Sequence, residues 1–211
     1  MLPSEKARVE AVRGWAAGAF ARHAVTQNVA QGLYRHWSCA EPGSGHRAFN
    51  VTTLPGRLIV TGDMGELILC REPDMVEWFR RCHEDLNYVA GKAQGIPVRE
   101  WCGAAARDWL DAEERGPQAE FEADPWDAMK GRTRAEDRLA QIRRVRAALE
   151  DGRPFFEMAL HESRLLDGDD WPDLEVFTHE FLWCVEGLRW LVPQLPKLPE
   201  RRLLWVRGVP T

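Results

Sequence analysis

The chain has 211 residues, of which 45% are hydrophobic and 29% are charged. These values are typical of one globular domain, and they exclude a disordered, collagen-like or membrane-spanning description of the whole chain. The formal net charge of −5 argues against a general DNA-coating protein, because such a protein needs a basic surface. No window approaches 18 uninterrupted apolar residues, so no membrane-spanning segment is predicted.

The N-terminal half of the sequence changes its period near residue 46. Residues 5–36 are predicted to be helical, with a polar, glycine-containing loop after them. Residues 46–71 contain three short β-type runs that are separated by Pro55-Gly56 and by Gly62-Asp63-Met64-Gly65. Pro-Gly suits the centre of a type II turn, because proline fixes φ and glycine accepts a positive φ. The segment is therefore predicted to be an antiparallel β-meander.

The rest of the sequence is mainly helical in its periodicity. Residues 73–192 are predicted to be helical, and their strongest apolar stripe includes Phe177, Phe181, Cys184 and Leu188. Three prolines follow, and the run RRLLWV predicts a final strand over 201–207. The predicted fold class is α+β, with a small antiparallel meander packed against several helices and a helix-rich chain overall. We predict one domain over 1–211.

The five cysteines are odd in number and irregular in spacing, and they form no CxxC motif. A chain of this length can bury a sufficient core without disulfides. The sequence therefore predicts mostly buried thiols in a reducing cytoplasm.

Two stretches of the sequence resemble an uncharacterised family of tailed-phage and prophage proteins. The first is TLPGRLIVTGDMGELILCREPDMVEWFR (53–80), and the second is EFLWCVEGLRWLV (180–192). The shared pattern is an aromatic strand, Pro-Gly, a Gly-Asp-Met-Gly turn, an Asp-Met pair before an aromatic helix, and a later helix with an aromatic-Trp-Cys motif. The resemblance implies a phage or prophage origin and a location in the cytoplasm of the bacterial host. It implies no particular activity.

Asp63 is the residue that most favours a catalytic hypothesis. It lies between glycines in a hairpin connection, where a rigid scaffold can present a side chain, and His46 is the histidine that would accompany it. Asp63 is also a common turn residue, because its side chain bonds nearby backbone. The sequence contains no GxxxxGK[ST], no GxGxxG and no GxSxG motif. An enzyme, a small hydrolase or transferase, is therefore the less favoured class of function.

Metal-ligand residue types occur in the sequence without the spacing that a metal site needs. His36, Cys39 and His46 lack a fourth ligand, and neither His161-Glu162 nor His179-Glu180 continues to HExxH. We predict no metal and no cofactor.

The basic segment 130–146 includes Arg138, Arg143 and Arg146. One hypothesis is contact with an acidic partner or with nucleic acid phosphates. The alternative is a solvated helix face that nearby acidic residues neutralise. The sequence favours this alternative over nucleic acid binding.

Tryptophan is in excess, with 10 Trp among 20 aromatic residues. Trp37, Trp126 and Trp171 lie in or beside polar, loop-like segments, which predicts exposed binding residues. Together with the three arginines of the basic segment, they form the predicted binding set. The favoured function is a phage accessory protein that binds a host or phage macromolecule, one version being an inhibitor of a host defence or regulatory system.

Overall fold

A computed structural model describes residues 2–120, 128–166 and 171–197, with side chains omitted for residues 117–120 and 128–134. The predicted strand over 201–207 and the predicted binding residue Trp126 lie outside the described residues.

The helices are α1 (Pro3–Phe20), α2 (Met75–Cys82), α3 (Leu86–Ala90), α4 (Gly103–Glu120), α5 (Ala128–Glu150), α6 (Arg153–Glu162) and α7 (His179–Leu191), and a short 3-10 turn follows (Val192–Gln194). The strands are β1 (Ala24–Gln31), β2 (Tyr34–Ala40), β3 (Phe49–Leu54), β4 (Arg57–Gly62), β5 (Leu67–Cys70), β6 (Ala93–Gln94), β7 (Arg99–Trp101) and β8 (Glu175–Phe177). Within the described residues, none of the helices has an apolar stretch sufficient to cross a lipid bilayer.

Strands β1 to β6 form an antiparallel sheet in which neighbours in sequence are neighbours in space. The register places Trp37 opposite Val51, Val51 opposite Val60, and Val60 opposite Leu67. All four side chains are buried, because alternate residues of a strand point to the same face. The α+β fold class is confirmed, and so is the meander, as β3, β4 and β5.

The prediction of helix over 5–36, with a break near Gly18 or Thr26, is wrong after Phe20, and the helical prediction over 73–192 is interrupted by the short strands β6, β7 and β8. Residues 24–40 form the β1–β2 hairpin instead, and Gly32 takes a φ of +63° at its turn. The strand pattern was hidden because β1 is exposed on nearly every residue and therefore has no apolar alternation. In β2 the buried positions include Arg35, a residue type that normally indicates an exposed position.

The described residues form two compact units. The sheet unit comprises Arg8–Arg99 and the described residues from Phe177 onward, and the helical unit comprises the described residues of Met1–Ala7 and Glu100–Val176. Each unit has its own apolar core. The organisation of 1–211 as one domain stays a prediction.

A buried ion pair joins β2 to the start of α2 in the sheet unit. The Asp74 carboxylate accepts hydrogen bonds from the backbone N–H groups of Val76 and Glu77, and therefore caps α2. The same carboxylate lies 2.6 Å from the Arg35 guanidinium, and both side chains are about 5% exposed or less. Arg35 also donates to the Thr53 hydroxyl at 3.0 Å. Burial of Arg35 is thus accompanied by the partners that a buried charge requires.

Candidate functional site

The Gly-Asp-Met-Gly turn between β4 and β5 docks on α7. The Met64 side chain is 3% exposed, and a methyl group added at Gly187 of α7 would lie 2.3 Å from its Cε atom. The Cys184 thiol donates to the Met64 carbonyl at 3.4 Å. The absence of a side chain at Gly187 therefore creates the space that Met64 fills.

A second contact fixes the same turn at the start of α7. The Glu180 carboxylate accepts a hydrogen bond from the Glu66 N–H at 3.1 Å and packs so closely on Gly65 that an added Cβ would lie 2.2 Å from Oε1. The Thr178 hydroxyl caps α7 by accepting from the Phe181 N–H. Residues 53–80 and 180–192 are thus in contact through this turn.

Asp63 binds the loop that precedes β3, which also contains His46. Its carboxylate accepts from the Arg47 N–H at 2.9 Å, and its own N–H donates to the Ala48 carbonyl at 2.9 Å. His46 is exposed, and its N–H donates to the Ser44 hydroxyl. These bonds explain Asp63 as a residue that fixes loop conformation, and its catalytic role stays an untested prediction.

Arg47 is a site residue that the sequence did not indicate. It has a φ of +58°, and among the described residues it is the one non-glycine residue with a positive φ. Its N–H donates to Asp63, its carbonyl accepts from His23 Nε2 at 3.0 Å, and its guanidinium carbon lies 6.0 Å from the Trp183 ring centroid. Such a conformation persists when surrounding contacts hold it, and it is concentrated at functional sites.

Beside the docked turn lies an open groove of about 280 Å³. It is lined by Trp15, Met64, His179, Glu180 and Trp183, all of which belong to the sheet unit. Trp15 is 60% exposed, and its ring stacks on the His179 ring with centroids 5.4 Å apart and planes 25° apart. A tryptophan so exposed leaves a large apolar area in water, which is unfavourable unless a partner covers it.

The far wall of the groove is rigid. The Trp183 ring packs against Phe20 with centroids 5.4 Å apart, and Phe20 also contacts Phe49 and Trp190 at 5.5 and 5.9 Å. Phe20 and Phe49 are each 1% exposed. The groove therefore has one wall fixed by the core and one exposed wall formed by Trp15.

Two of the three predicted tryptophans, Trp37 and Trp171, lie among the described residues. Trp37 is 2% exposed in the core of the sheet unit, so its prediction as a surface binding residue is wrong. In the sequence Trp37 stands beside a polar, loop-like segment, but it occupies a buried position of strand β2. Trp171 is 47% exposed and belongs to the helical unit, and its binding role stays a prediction.

The predicted arginines lie on α5 within the helical unit. Arg138 donates to Glu113, and Arg146 donates to Asp111 and Glu114 at 2.7 and 2.9 Å. Arg143 is exposed on the same helix. Arg138 and Arg146 are thus paired with acidic side chains of α4, and a solvated, neutralised face stays a hypothesis for the segment as a whole. A partner for Arg143 stays a prediction.

The buried thiols are protected from ionisation. Burial raises the pKa of Cys39 and that of Cys184 to about 12, and desolvation raises the pKa of Cys82 to about 11 despite the nearby Arg81 charge. Because the thiolate is the nucleophile, none of these three suits covalent catalysis near neutral pH.

Among the described residues, no three His, Cys, Asp or Glu side chains converge as a metal site would require. His36 instead shares a hydrogen bond with the Thr52 hydroxyl at 2.8 Å, and Cys39 is buried.

The comparisons with protein-family models, with curated proteins and with solved structures found no match to this chain. The groove's own chemistry is therefore what bears on function.

Proposed function

We propose that the chain is a phage- or prophage-encoded accessory protein that binds a host or phage protein through the groove of Trp15, His179 and Trp183. It acts in the cytoplasm of the bacterial host, and inhibition of a host defence or regulatory system is the form of action that we favour. The origin rests on the two stretches of phage-like sequence, over 53–80 and 180–192.

The observation that carries the proposal is the 60% exposure of Trp15 beside a second, fixed tryptophan ring. Exposed tryptophan beside a formed cleft is typical of the residues that dominate binding energy at protein interfaces. Trp15 projects from α1, whose Val12, Ala16 and Phe20 are buried. The scaffold is thus held by other residues, and Trp15 itself adds little to it.

The test compares capture of partners by tagged wild-type protein and two tryptophan variants in infected host cells. Trp15→Ala is expected to lose at least ten-fold of the captured partner, because a central interface tryptophan contributes about 2 kcal/mol or more. The matched control is Trp171→Ala, which removes an equally large side chain that is 47% exposed in the helical unit. It is expected to retain capture, because the groove of the sheet unit is proposed as the interface in place of the predicted residue Trp171.

Both variants are expected to have free energies of unfolding within about 0.5 kcal/mol of the wild-type value, since exposed side chains contribute little to stability. Loss of capture in the Trp171 variant with retention in the Trp15 variant would place the interface in the helical unit. Recovery of no specific partner by the wild-type protein would contradict the proposed function itself.

A further inference from the structure

We infer that the groove binds a cationic side chain, an arginine or a lysine, that the partner protein presents. This inference rests on the proposed function, because it names the chemistry by which the same groove recognises its partner. Its basis is the pairing of aromatic ring faces with a carboxylate in one cleft.

The aromatic part of the cleft suits a cation. Trp15 and Trp183 both line it, and tryptophan has the strongest attraction for a cation over its ring face. Trp15 is held in orientation by its stack on His179, at 5.4 Å between centroids. Trp183 is held by its contact with Phe20. Two rings held in this way form walls that need little ordering when a ligand enters.

The charge of the cleft has the matching sign. Glu180 is the acidic residue among the five that line the groove, and it is exposed. Its Oε1 atom accepts from the Glu66 N–H, whereas a carboxylate offers about four acceptor positions. The carboxylate can therefore bind the Glu66 amide and a guanidinium or ammonium group at the same time. The Glu180 carboxylate would repel an anionic group placed at the same acceptor positions.

In the free protein one guanidinium, that of Arg47, already lies near the Trp183 ring. Arg47 lies with its guanidinium carbon 6.0 Å from the Trp183 centroid, on a backbone that Asp63 and His23 hold at a φ of +58°. The Trp183 ring thus accepts a guanidinium in the free protein. Arg47 competes with an incoming cation for this ring and also repels it. Its removal should therefore tighten binding of a cation.

The experiment titrates the intact protein with N-acetyl-arginine amide and follows the indole N–H signals of Trp15 and Trp183 by NMR. The neutral isostere N-acetyl-citrulline amide is the matched ligand control, and AMP is the anionic aromatic control. Glu180→Gln keeps the oxygen that accepts from Glu66 but removes the charge, and Arg47→Ala removes the internal competitor.

The arginine probe is expected to shift both indole signals, with an affinity about five-fold or more above that of the citrulline probe. Glu180→Gln should weaken arginine binding about five-fold, and Arg47→Ala should tighten it about two-fold. These opposite effects do not arise from a general loss of structure. Equal binding of citrulline, preference for AMP, or no shift of the indole signals would overturn the inference.

The outcomes also separate the inference from the proposed function. If the arginine probe fails but Trp15→Ala still loses the captured partner and Trp171→Ala does not, the groove is a binding site of different chemistry. If Trp15→Ala captures the partner as wild type does, the groove is not the interface and both proposals fail.

Discussion

Replacement of Gly62 by alanine tests whether the turn beneath the groove is fixed by backbone packing. Gly62 ends β4 with a φ of +129°, and a Cβ atom there would lie 2.5 Å from the Ala48 carbonyl oxygen and 2.8 Å from the Phe49 Cα. Both atoms belong to the backbone of the paired strand region. A rotamer change cannot relieve such contacts, so the chain itself must move.

The expected cost follows from two contributions. A non-glycine residue in a backbone conformation that favours glycine costs about 1–3 kcal/mol. Forcing an extra methyl group into a packed region costs about 1–3 kcal/mol more. We therefore expect Gly62→Ala to lower the free energy of unfolding by about 2–6 kcal/mol, a large part of the roughly 5–15 kcal/mol by which a domain is stable.

Two other glycines provide matched controls, because neither would bring an added Cβ within 4 Å of the atoms around it. Gly32 has a φ of +63°, so Gly32→Ala should cost about 1–2 kcal/mol for the left-handed backbone alone. Gly14 lies inside α1, so Gly14→Ala should stabilise by about 0.5–1 kcal/mol. Urea unfolding followed by tryptophan fluorescence measures all three. A cost for Gly62→Ala no greater than that for Gly32→Ala would refute the packing explanation.

Two further predictions concern the buried ion pair and the thiols. Asp74→Ala should lower the free energy of unfolding by about 3–5 kcal/mol in the same urea assay, because it leaves the buried Arg35 charge unpaired. The control Asp85→Ala removes only an exposed cap of α3 and should cost about 1 kcal/mol. Equal costs for the two variants would contradict a buried ion pair. Cys39 and Cys184 should resist iodoacetamide at pH 8 until the protein is unfolded, as mass spectrometry of the alkylated protein would show. Their pKa values rise from 9.0 to about 12 on folding, so their contribution to stability is constant below pH 9 and is lost as the pH rises towards 12, because the unfolded chain ionises first.

The local part of the fold could be predicted because it depends on nearby residues. Pro55-Gly56 predicted the β3–β4 turn, and Gly56 does take a φ of +80°. The apolar stripe through Phe181, Cys184 and Leu188 predicted α7, and all three side chains are buried. In each case the period of the sequence matches the period of one element that has one buried face.

The β1–β2 hairpin could not be predicted in the same way, because its pattern depends on distant partners. Arg35 occupies an inward position only because Asp74, 39 residues away, neutralises it. Strand β1 has little buried surface, so its sequence shows no alternation. Apolar periodicity detects a strand through its buried face. Strand β1 lacks that signal, and in β2 Arg35 interrupts the alternation of Trp37 and Cys39 with polar residues.

The groove could not be predicted from the sequence either, because three separate parts of the chain form it. Trp15 comes from α1, Met64 from the turn, and Glu180 and Trp183 from α7. The count of tryptophans indicated an excess, but the loop-like surroundings used to select binding residues pointed to Trp37, which is buried. Trp15 lies within a helix, where exposure depends on which face meets the core. The left-handed backbone of Arg47 has no signal in the sequence at all.

The groove is formed partly by residues 53–80 and 180–192 and partly by rim residues outside these two stretches. Met64, Glu180 and Trp183 lie inside those stretches, and their packing on Gly65, Gly187 and Phe20 gives each a structural reason to be there. The rim residues Trp15 and His179 lie outside both stretches. A protein with the same turn and helix would therefore keep the cleft with its Glu180 carboxylate and Trp183 ring, while its rim residues would add to the choice of partner. Exchange of the rim residues should thus change the partner and leave the stability of the sheet unit within about 0.5 kcal/mol for the exposed positions.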